Sequence, residues 1–469
     1  MDFRRRELLK LLGTSAAGVA AATVPREALA SAPIIVRDVC VIGGGGAGAY
    51  AAVKLRDAGK SVVVVERSSR LGGHAETYRS SATSAPIDIG VQIFPDLPIV
   101  RNYFGRYGVP LVSNPSSGGG TSVAVDFRTG KPVAAYSPTP AELGQALFVY
   151  LQLVSTRYAF LDQNGYQLPP PGPILDELLL PFGDFVQLHG LQALVPLFFQ
   201  FEQGFGELLK TTSLYVLKNL SASVIGGILG GSFLAPPTGV SDLYEGVASE
   251  LGDDVLLNAR VTIAIRCGNT RGYLLVATDR GLRIVDCKKL LVTAPPVLSS
   301  FVGFDLDATE TAVFRSFQPN YYYTAVLRLS GLPAGYTLSN AAPETFENIA
   351  PMPGIFSIGP SPVPGLFNCK YGSTSAALDL QVKSEIKRAV ERVKVPGLGK
   401  IRVEEFATFK SHSPYALMVK PSEVRSGFYG RLQGLQGRNN TYYAGAAHQT
   451  HSSAGIWAYV EALLPSLTA

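Results

Sequence analysis

Residues Asp38–His74 read DVCVIGGGGAGAYAAVKLRDAGKSVVVVERSSRLGGH. The run opens on an apolar stretch, Val39 to Ile42, and breaks into glycines. Gly43, Gly45 and Gly48 stand at GxGxxG spacing, with Ala47 between the last two. Ala51, Ala52, Leu55 and Ala58 follow at helical spacing, and a second apolar run, Val62 to Val65, ends on Glu66. This order predicts a strand, a tight turn, a helix and a second strand. Gly43 permits the sharp exit from the strand. Gly45 lets backbone N–H groups approach a pyrophosphate, and Gly48 lets the helix pack close to the sheet. The helix N-terminus carries a partial positive charge that favours phosphate. Glu66 closes the second strand, where an acid accepts both hydroxyls of a ribose. A glycine-rich turn alone is common. Strand, helix, second strand and terminal acid within one unit predict a dinucleotide site.

A second glycine pair, Gly72-Gly73, follows the acid within Arg67–His74, and Ile87-Asp88-Ile89-Gly90-Val91-Gln92 comes a few residues later. These segments resemble the FAD-binding signature of the flavin-containing amine oxidase superfamily, in which R-x-G-G follows the second strand and D-x-G-x-x passes under the flavin ring. The resemblance implies FAD rather than NAD. It places Arg67, Gly72, Gly73 and the His74 backbone near the pyrophosphate, and Gly90, Val91 and Gln92 near the ring. Val261, in a predicted strand of VLLNARVTIAIRC, matches the family valine that contacts adenine. Thr293-Ala294-Pro295-Pro296 resembles the segment that returns past the cofactor.

The second strong match is C-terminal, from Thr408–Val419 and Asn440–Pro465. A predicted strand ends at Gly445, and a helix starts near Ala454 with its N-terminus toward the flavin pyrimidine edge. IDIGVQIF, SPYALMV, the GAA turn and the final IW-x-Y-x-EALL resemble the beta-cyclopiazonate dehydrogenase-like branch. Three departures stand out. Ala446 and Ala447 replace the acid that bonds the ribityl chain. Pro414 precedes Tyr415 where monoamine oxidases carry a linking cysteine, which implies non-covalent FAD. The predicted strand Phe317–Leu329 has no lysine at Tyr322 or Tyr323, where monoamine oxidases hold a water near the flavin.

The resemblance implies an α/β fold: a discontinuous, Rossmann-like FAD-binding domain of the GR2 type beside an α+β, amine oxidase-like substrate domain. The FAD-binding parts are expected at 36–115, 236–300 and 401–469. The substrate parts are expected at 116–235, largely helical, and 301–400. The apolar stretch Leu188–Phe201 is read as helical core or as the wall of an apolar cavity.

Residues 1–30 read as a targeting segment. Arg5-Arg6 resembles a twin-arginine signal, an Ala/Gly-rich run follows from Leu11 to Val24, and Ala28-Leu29-Ala30 is an A-x-A cleavage pattern. Export to the periplasm or medium is expected, without stable membrane insertion, because the run is shorter than the ~20 residues of a span.

The chain has 16% charged and 46% apolar residues, a net charge of +5 and no basic run with interleaved aromatics, so nucleic acid is not an expected partner. Cys40, Cys267, Cys287 and Cys369 form no C-x-x-C pair and no metal-ligand spacing, so no metal is expected. Cys267 and Cys287 end neighbouring predicted strands, which leaves a disulfide open.

The chemistry implied is oxidation of an apolar small molecule at a C–N or C–C bond, with dioxygen or another acceptor taking the electrons. Tyr415 resembles one wall of the family's aromatic cage, Trp457 and Tyr459 are the candidates for the other, and Gly445 and Trp457 are also expected at the cofactor. A flavin-dependent desaturase or isomerase, and a non-catalytic FAD-binding protein, are the other readings.

Overall fold

The computed structural model describes residues 29, 31–81, 83–114 and 120–469, apart from the side chain of residue 229. The twin-arginine pair lies outside the described residues. The quoted stretch folds as the strand Ile34–Ile42, the helix Gly46–Asp57 and the strand Val62–Val65. Between the first two the chain turns at Gly43, with φ +101°.

The first strand lies between Val62–Val65 and Gly281–Val292, parallel to both. Val255–Leu256 extends the sheet on one side and Thr441–Tyr443 on the other, again in parallel. Register aligns Ile42 with Val65 and Val292, Val65 with Leu256, and Val292 with Tyr443. Strands from widely separated stretches therefore end on one line. Gly43, Glu66, Thr293 and Ala444 leave from it together, at the carboxyl edge where open α/β sheets bind ligands. The N-terminal half of Gly281–Val292 forks away to pair antiparallel with Arg271–Thr278, which pairs with Arg260–Cys267. Val62 to Val65 are all buried, as a continuous apolar strand in a covered parallel sheet requires. The helices Ser241–Leu251 and Ser453–Thr468 pack against Gly46–Asp57, whose Ala49, Ala51 and Ala52 are fully buried.

A second sheet runs in the order Arg402–Ser411, Tyr321–Ser330, Leu366–Ser373, Gly354–Pro360, Tyr336–Asn340, Thr121–Asp126, Lys131–Pro132. All its pairs are antiparallel except Tyr336–Asn340 with Thr121–Asp126. One face carries Phe367, Cys369 and Tyr371 against Val382, Ile386 and Val390. Those three stand at helical spacing on Asp379–Arg392. The other face turns toward the carboxyl edge of the first sheet. Short helices between Pro140 and Gly230 enclose an aromatic core with Tyr150, Phe182 and Phe198.

One expectation needs correction, and one open pairing is excluded. The boundary expected at residue 401 falls after Ser411 by strand pairing, because Arg402–Ser411 edges the second sheet beside Tyr321–Ser330. Cys267 and Cys287, whose pairing was open, stand on strands separated by Arg271–Thr278. Two strand spacings, about 9.6 Å, exceed the Cα separation a disulfide spans. Cys287 instead lies beside Cys40 in the sheet interior, and its neighbour and burial push the Cys40 thiol up. No helix among the described residues is long and apolar enough to cross a membrane.

Candidate active site

Between the carboxyl edge of the first sheet and the open face of the second lies a cavity of about 2140 Å³. Small-molecule pockets hold roughly 300–1,000 Å³. This one has room for a dinucleotide and a second molecule.

At the nucleotide end the glycine turns support each other. Gly72 N–H donates to Gly44 O at 2.8 Å, and a Cβ on Gly73 would lie 3.0 Å from the Gly45 Cα. The helix Gly46–Asp57 has no side-chain cap and no acid in its first turn, so its N–H groups and partial positive charge are left for an anion. Gly43, Gly45 and Ala47 line the cavity. Gly48 does not. A Cβ there would stand 1.9 Å from Gly43 O, so its part is the close packing of helix on strand. Glu66 is buried at the cavity wall, where Oε2 accepts Gly44 N–H at 2.6 Å and Oε1 accepts Ser68 N–H at 2.7 Å. A carboxylate accepts about four hydrogen bonds, so capacity remains for ribose hydroxyls. Arg67, Gly72, Gly73 and Val261 line the same end. These residues fit a bound dinucleotide: a bare helix N-terminus over two mutually braced glycine turns, with an acid at the next strand end.

Farther in, a Cβ at Gly90 would lie 1.7 Å from His74 O, which also accepts Val91 N–H at 3.2 Å. Gly90, Val91, Gln92 and His74 all line the cavity, as does Gly445, whose φ is +120°. The N-terminus of Ser453–Thr468 reaches the same space through Ser453 and Ile456.

Tyr415 stands at the chamber where the two sheets face each other. Its ring lies 5.6 Å from His74, 5.0 Å from Tyr322 and 4.3 Å from His451 between centroids. Its hydroxyl has no protein partner among the described residues. His412 Nε2 lies 2.9 Å from Ile89 O and 3.1 Å from Thr324 Oγ1. Burial lowers the pKa of all three imidazoles: well below the ordinary value for His74, below it for His412, and to about 4 for His451. They are neutral at pH 7. The chamber wall around Tyr415 is thus aromatic and uncharged.

Trp457 does not belong to that wall. It is fully buried, its Nε1 donates to Gly46 O at 3.1 Å, and its ring stacks with Tyr50 and Phe94. It holds the glycine turn from behind. Its neighbour Ile456 faces the cavity, because adjacent helical residues point about 100° apart. Tyr459 is also buried, with its hydroxyl accepting Gln436 Nε2–H at 3.1 Å.

Three kinds of residue escaped the sequence. Arg70 clamps the second glycine turn: Nη1 donates to Leu71 O and Ala75 O, and Nη2 to Gly73 O, each at 2.9 Å. Its place in R-x-G-G was a legible signal. His412 and His451 reach the chamber through pairing and loop geometry. Lys370 lines the cavity on Leu366–Ser373, one strand away from Tyr322, where no lysine stands.

A model of the flavin containing amine oxidoreductase family matches residues 47–330. The chain is 34% identical over 462 residues to the FAD-dependent oxidoreductase dbaF of Emericella nidulans, covering 98% of this chain and 97% of that one. It is 31% identical over 433 residues to beta-cyclopiazonate dehydrogenase of Aspergillus oryzae, covering 92% and 93%. Among solved structures, a CLA-producing fatty acid isomerase from P. acnes superposes with TM-score 0.75 at 18% identity, over 92% of this chain and 98% of that one. Cyclohexylamine oxidase from Brevibacterium oxydans gives 0.63 at 17%, over 92% and 98%. The chain belongs to the flavin-containing amine oxidoreductase family. It is an FAD-dependent oxidoreductase with the amine oxidase fold.

Proposed function

We propose that this enzyme oxidises a C–N or C–C bond of an apolar small molecule by hydride transfer to FAD, which it holds non-covalently. The observation that carries this reading is the continuity of the cavity: one space joins the braced glycine turns to the aromatic chamber at Tyr415. Bound FAD supplies the two-electron acceptor. The chain's own residues do the rest. Tyr415, Tyr322 and His451 orient the donor, and the neutral imidazoles add no charge beside it. Among the described residues no cysteine lines the cavity, which supports non-covalent retention. Dioxygen or another acceptor takes the electrons onward.

The test is anaerobic mixing of the yellow holoprotein with a panel of apolar amines and unsaturated ring compounds, followed by air. Bleaching and recovery with one class of donor is the expected result. Double-bond migration without net bleaching would replace the reading with an isomerase, and no reaction with any donor would leave an FAD-binding protein without this activity.

We also infer export through the twin-arginine route, supported by Arg5-Arg6 and Ala28-Leu29-Ala30. Leu29 and Ala32 are buried in a cluster with Ile263, Ile265 and Tyr273. Cleavage after Ala30 therefore removes one buried leucine, and N-terminal sequencing of exported protein reads that directly. Changing Arg5 and Arg6 to Lys is expected to leave folded, FAD-loaded protein in the cytoplasm. Continued export would reject this route.

A further inference from the structure

A row of side chains crosses the second sheet on its cavity face. Lys410 pairs with Thr324, Thr324 with Lys370, Lys370 with Ser357, Ser357 with Ser339, and Ser339 with Ala124. Residues paired across neighbouring strands project on the same side. The face is fixed at two points. Cys369 and Tyr371, on either side of Lys370 in sequence, are buried against the helix Asp379–Arg392 on the opposite face. Thr324 Oγ1 donates to Ile89 O at 2.5 Å, which turns its side toward the segment expected under the flavin. Lys410, Lys370, Ser357, Ser339 and Ala124 all line the cavity.

The members of this row differ in how they are satisfied. Lys410 Nζ pairs with Glu76 Oε1 at 2.8 Å, and Thr324 is bonded to Ile89 and His412. Lys370 has no ion pair and no side-chain hydrogen bond among the described residues. The hydroxyls of Ser357 and Ser339 have none either. Burial alone lowers the Lys370 pKa, with no carboxylate acting against it. Lys370 is half-buried at the cavity wall with no protein partner among the described residues, and a row of open donors beside it asks for an acceptor supplied from the cavity.

That acceptor is not the cofactor's pyrophosphate, which fits at the helix N-terminus of Gly46–Asp57 on the other sheet. Lys370 stands one strand, about 4.8 Å, beyond Thr324 and away from the Ile89–His412 contact. It lies on the part of the face that runs to Ser357 and Ser339. We propose that Lys370, with the Ser357 and Ser339 hydroxyls beside it, binds a carboxylate on the apolar substrate. The substrate class is then an apolar molecule with one anionic oxygen group, held by the second sheet while its apolar body reaches Tyr415. This deepens the oxidation reading of the same cavity and rests on it.

The experiment is calorimetric titration of the FAD-loaded full chain with sodium decanoate, decanol and decylamine. Decanoate is expected to bind about tenfold or more tighter than decanol, and decylamine no better than decanol, since hydrogen bonds to a charged group discriminate on that scale. Lys370→Gln should bring decanoate down to the level of decanol while FAD content is retained. Ser357→Ala should weaken decanoate by a smaller factor. If Lys370→Gln does not fold, Ser357→Ala carries the test, and an unchanged decanoate affinity in it overturns the proposal. Equal affinity for the three compounds, no decanoate binding, or wild-type decanoate affinity in Lys370→Gln overturns it as well. Binding needs no turnover. A failed donor panel would sink the oxidation reading without touching this result, and the reverse also holds.

Discussion

The two ends of the cavity are built in different ways. The glycine turns and the acid of the nucleotide end come from contiguous sequence. Gly43 to Gly48, Glu66 and Gly72-Gly73 lie within one strand–helix–strand unit and the turn that follows it, and their contacts are made to backbone atoms: Gly72 N–H to Gly44 O, the Glu66 carboxylate to Gly44 and Ser68 N–H, and the Arg70 and Trp457 donors to Gly73 O and Gly46 O. The chamber is assembled from distant stretches: His74, Tyr322, Lys370, His412, Tyr415 and His451 meet only through sheet register and loop closure. A backbone site has few substitutes, since a Cβ either fits or collides. A side-chain chamber can be revised residue by residue on an unchanged scaffold. The difference predicts that damage at the first end abolishes cofactor loading, and damage at the second alters the reaction.

The largest effect is expected at the turn. Gly48→Val places a Cβ at the 1.9 Å approach to Gly43 O, which neither the strand nor the helix can vacate. Overpacking against rigid backbone costs about 3 kcal/mol or more. The expected outcome is little soluble protein and no bound flavin, read by yield and absorbance. A yellow variant with wild-type melting would break the comparison at its strong end.

Glu66→Gln should do less. One of the two backbone N–H groups now accepted by the carboxylate would face an amide N–H, and the charge-assisted bonds to ribose would be lost. FAD affinity is expected to fall about tenfold or more, measured by equilibrium release. Unchanged affinity would mean that the ribose is held elsewhere.

A smaller effect comes from acid. His448 is buried, and burial lowers its pKa from the ordinary 6.5 to about 4. The unfolded chain therefore takes up this proton first as pH falls. The histidine's contribution to stability is complete above about pH 6.5 and is lost progressively toward pH 4, at up to about 1.4 kcal/mol per pH unit. Melting curves across that range should show the slope, and His448→Gln should reduce it by this histidine's share, leaving the part due to His74, His412 and His451. An identical slope in the variant would assign the acid sensitivity to other groups.

Legibility followed the same division. The turn, its helix and Glu66 were readable because each constraint acts within a few residues. The Trp457 assignment failed for a reason also present in the sequence. Ala454, Trp457, Val460 and Leu463 repeat every three residues, and all are buried. That is a core stripe, and a residue on it cannot also face a cavity at the helix start. Lys370 was hidden differently. Phe367, Cys369 and Tyr371 alternate with Asn368 and Lys370, which marks a half-buried strand, but no local pattern says what the polar face looks toward. The partner of that face is set by register with Thr324 and Ser357, from stretches tens of residues away on the one side and a dozen on the other.

The central claim is that chemistry takes place on the Tyr415 side of the glycine turn, while the Trp457 side only supports it. One paired measurement tests this: anaerobic stopped-flow reduction of Tyr415→Phe and Trp457→Phe by the best donor of the panel, each beside its thermal melt. Tyr415→Phe is expected to melt like the parent and to reduce its flavin more slowly, by up to about a hundredfold if the donor shifts by an ångström. Trp457→Phe is expected to lose about 1–2 kcal/mol of stability, through the missing bond to Gly46 O and the void behind it. Its bound flavin should be reduced at the parent rate. The opposite pairing, a parent rate in Tyr415→Phe and a slowed reaction with parent melting in Trp457→Phe, would contradict the account.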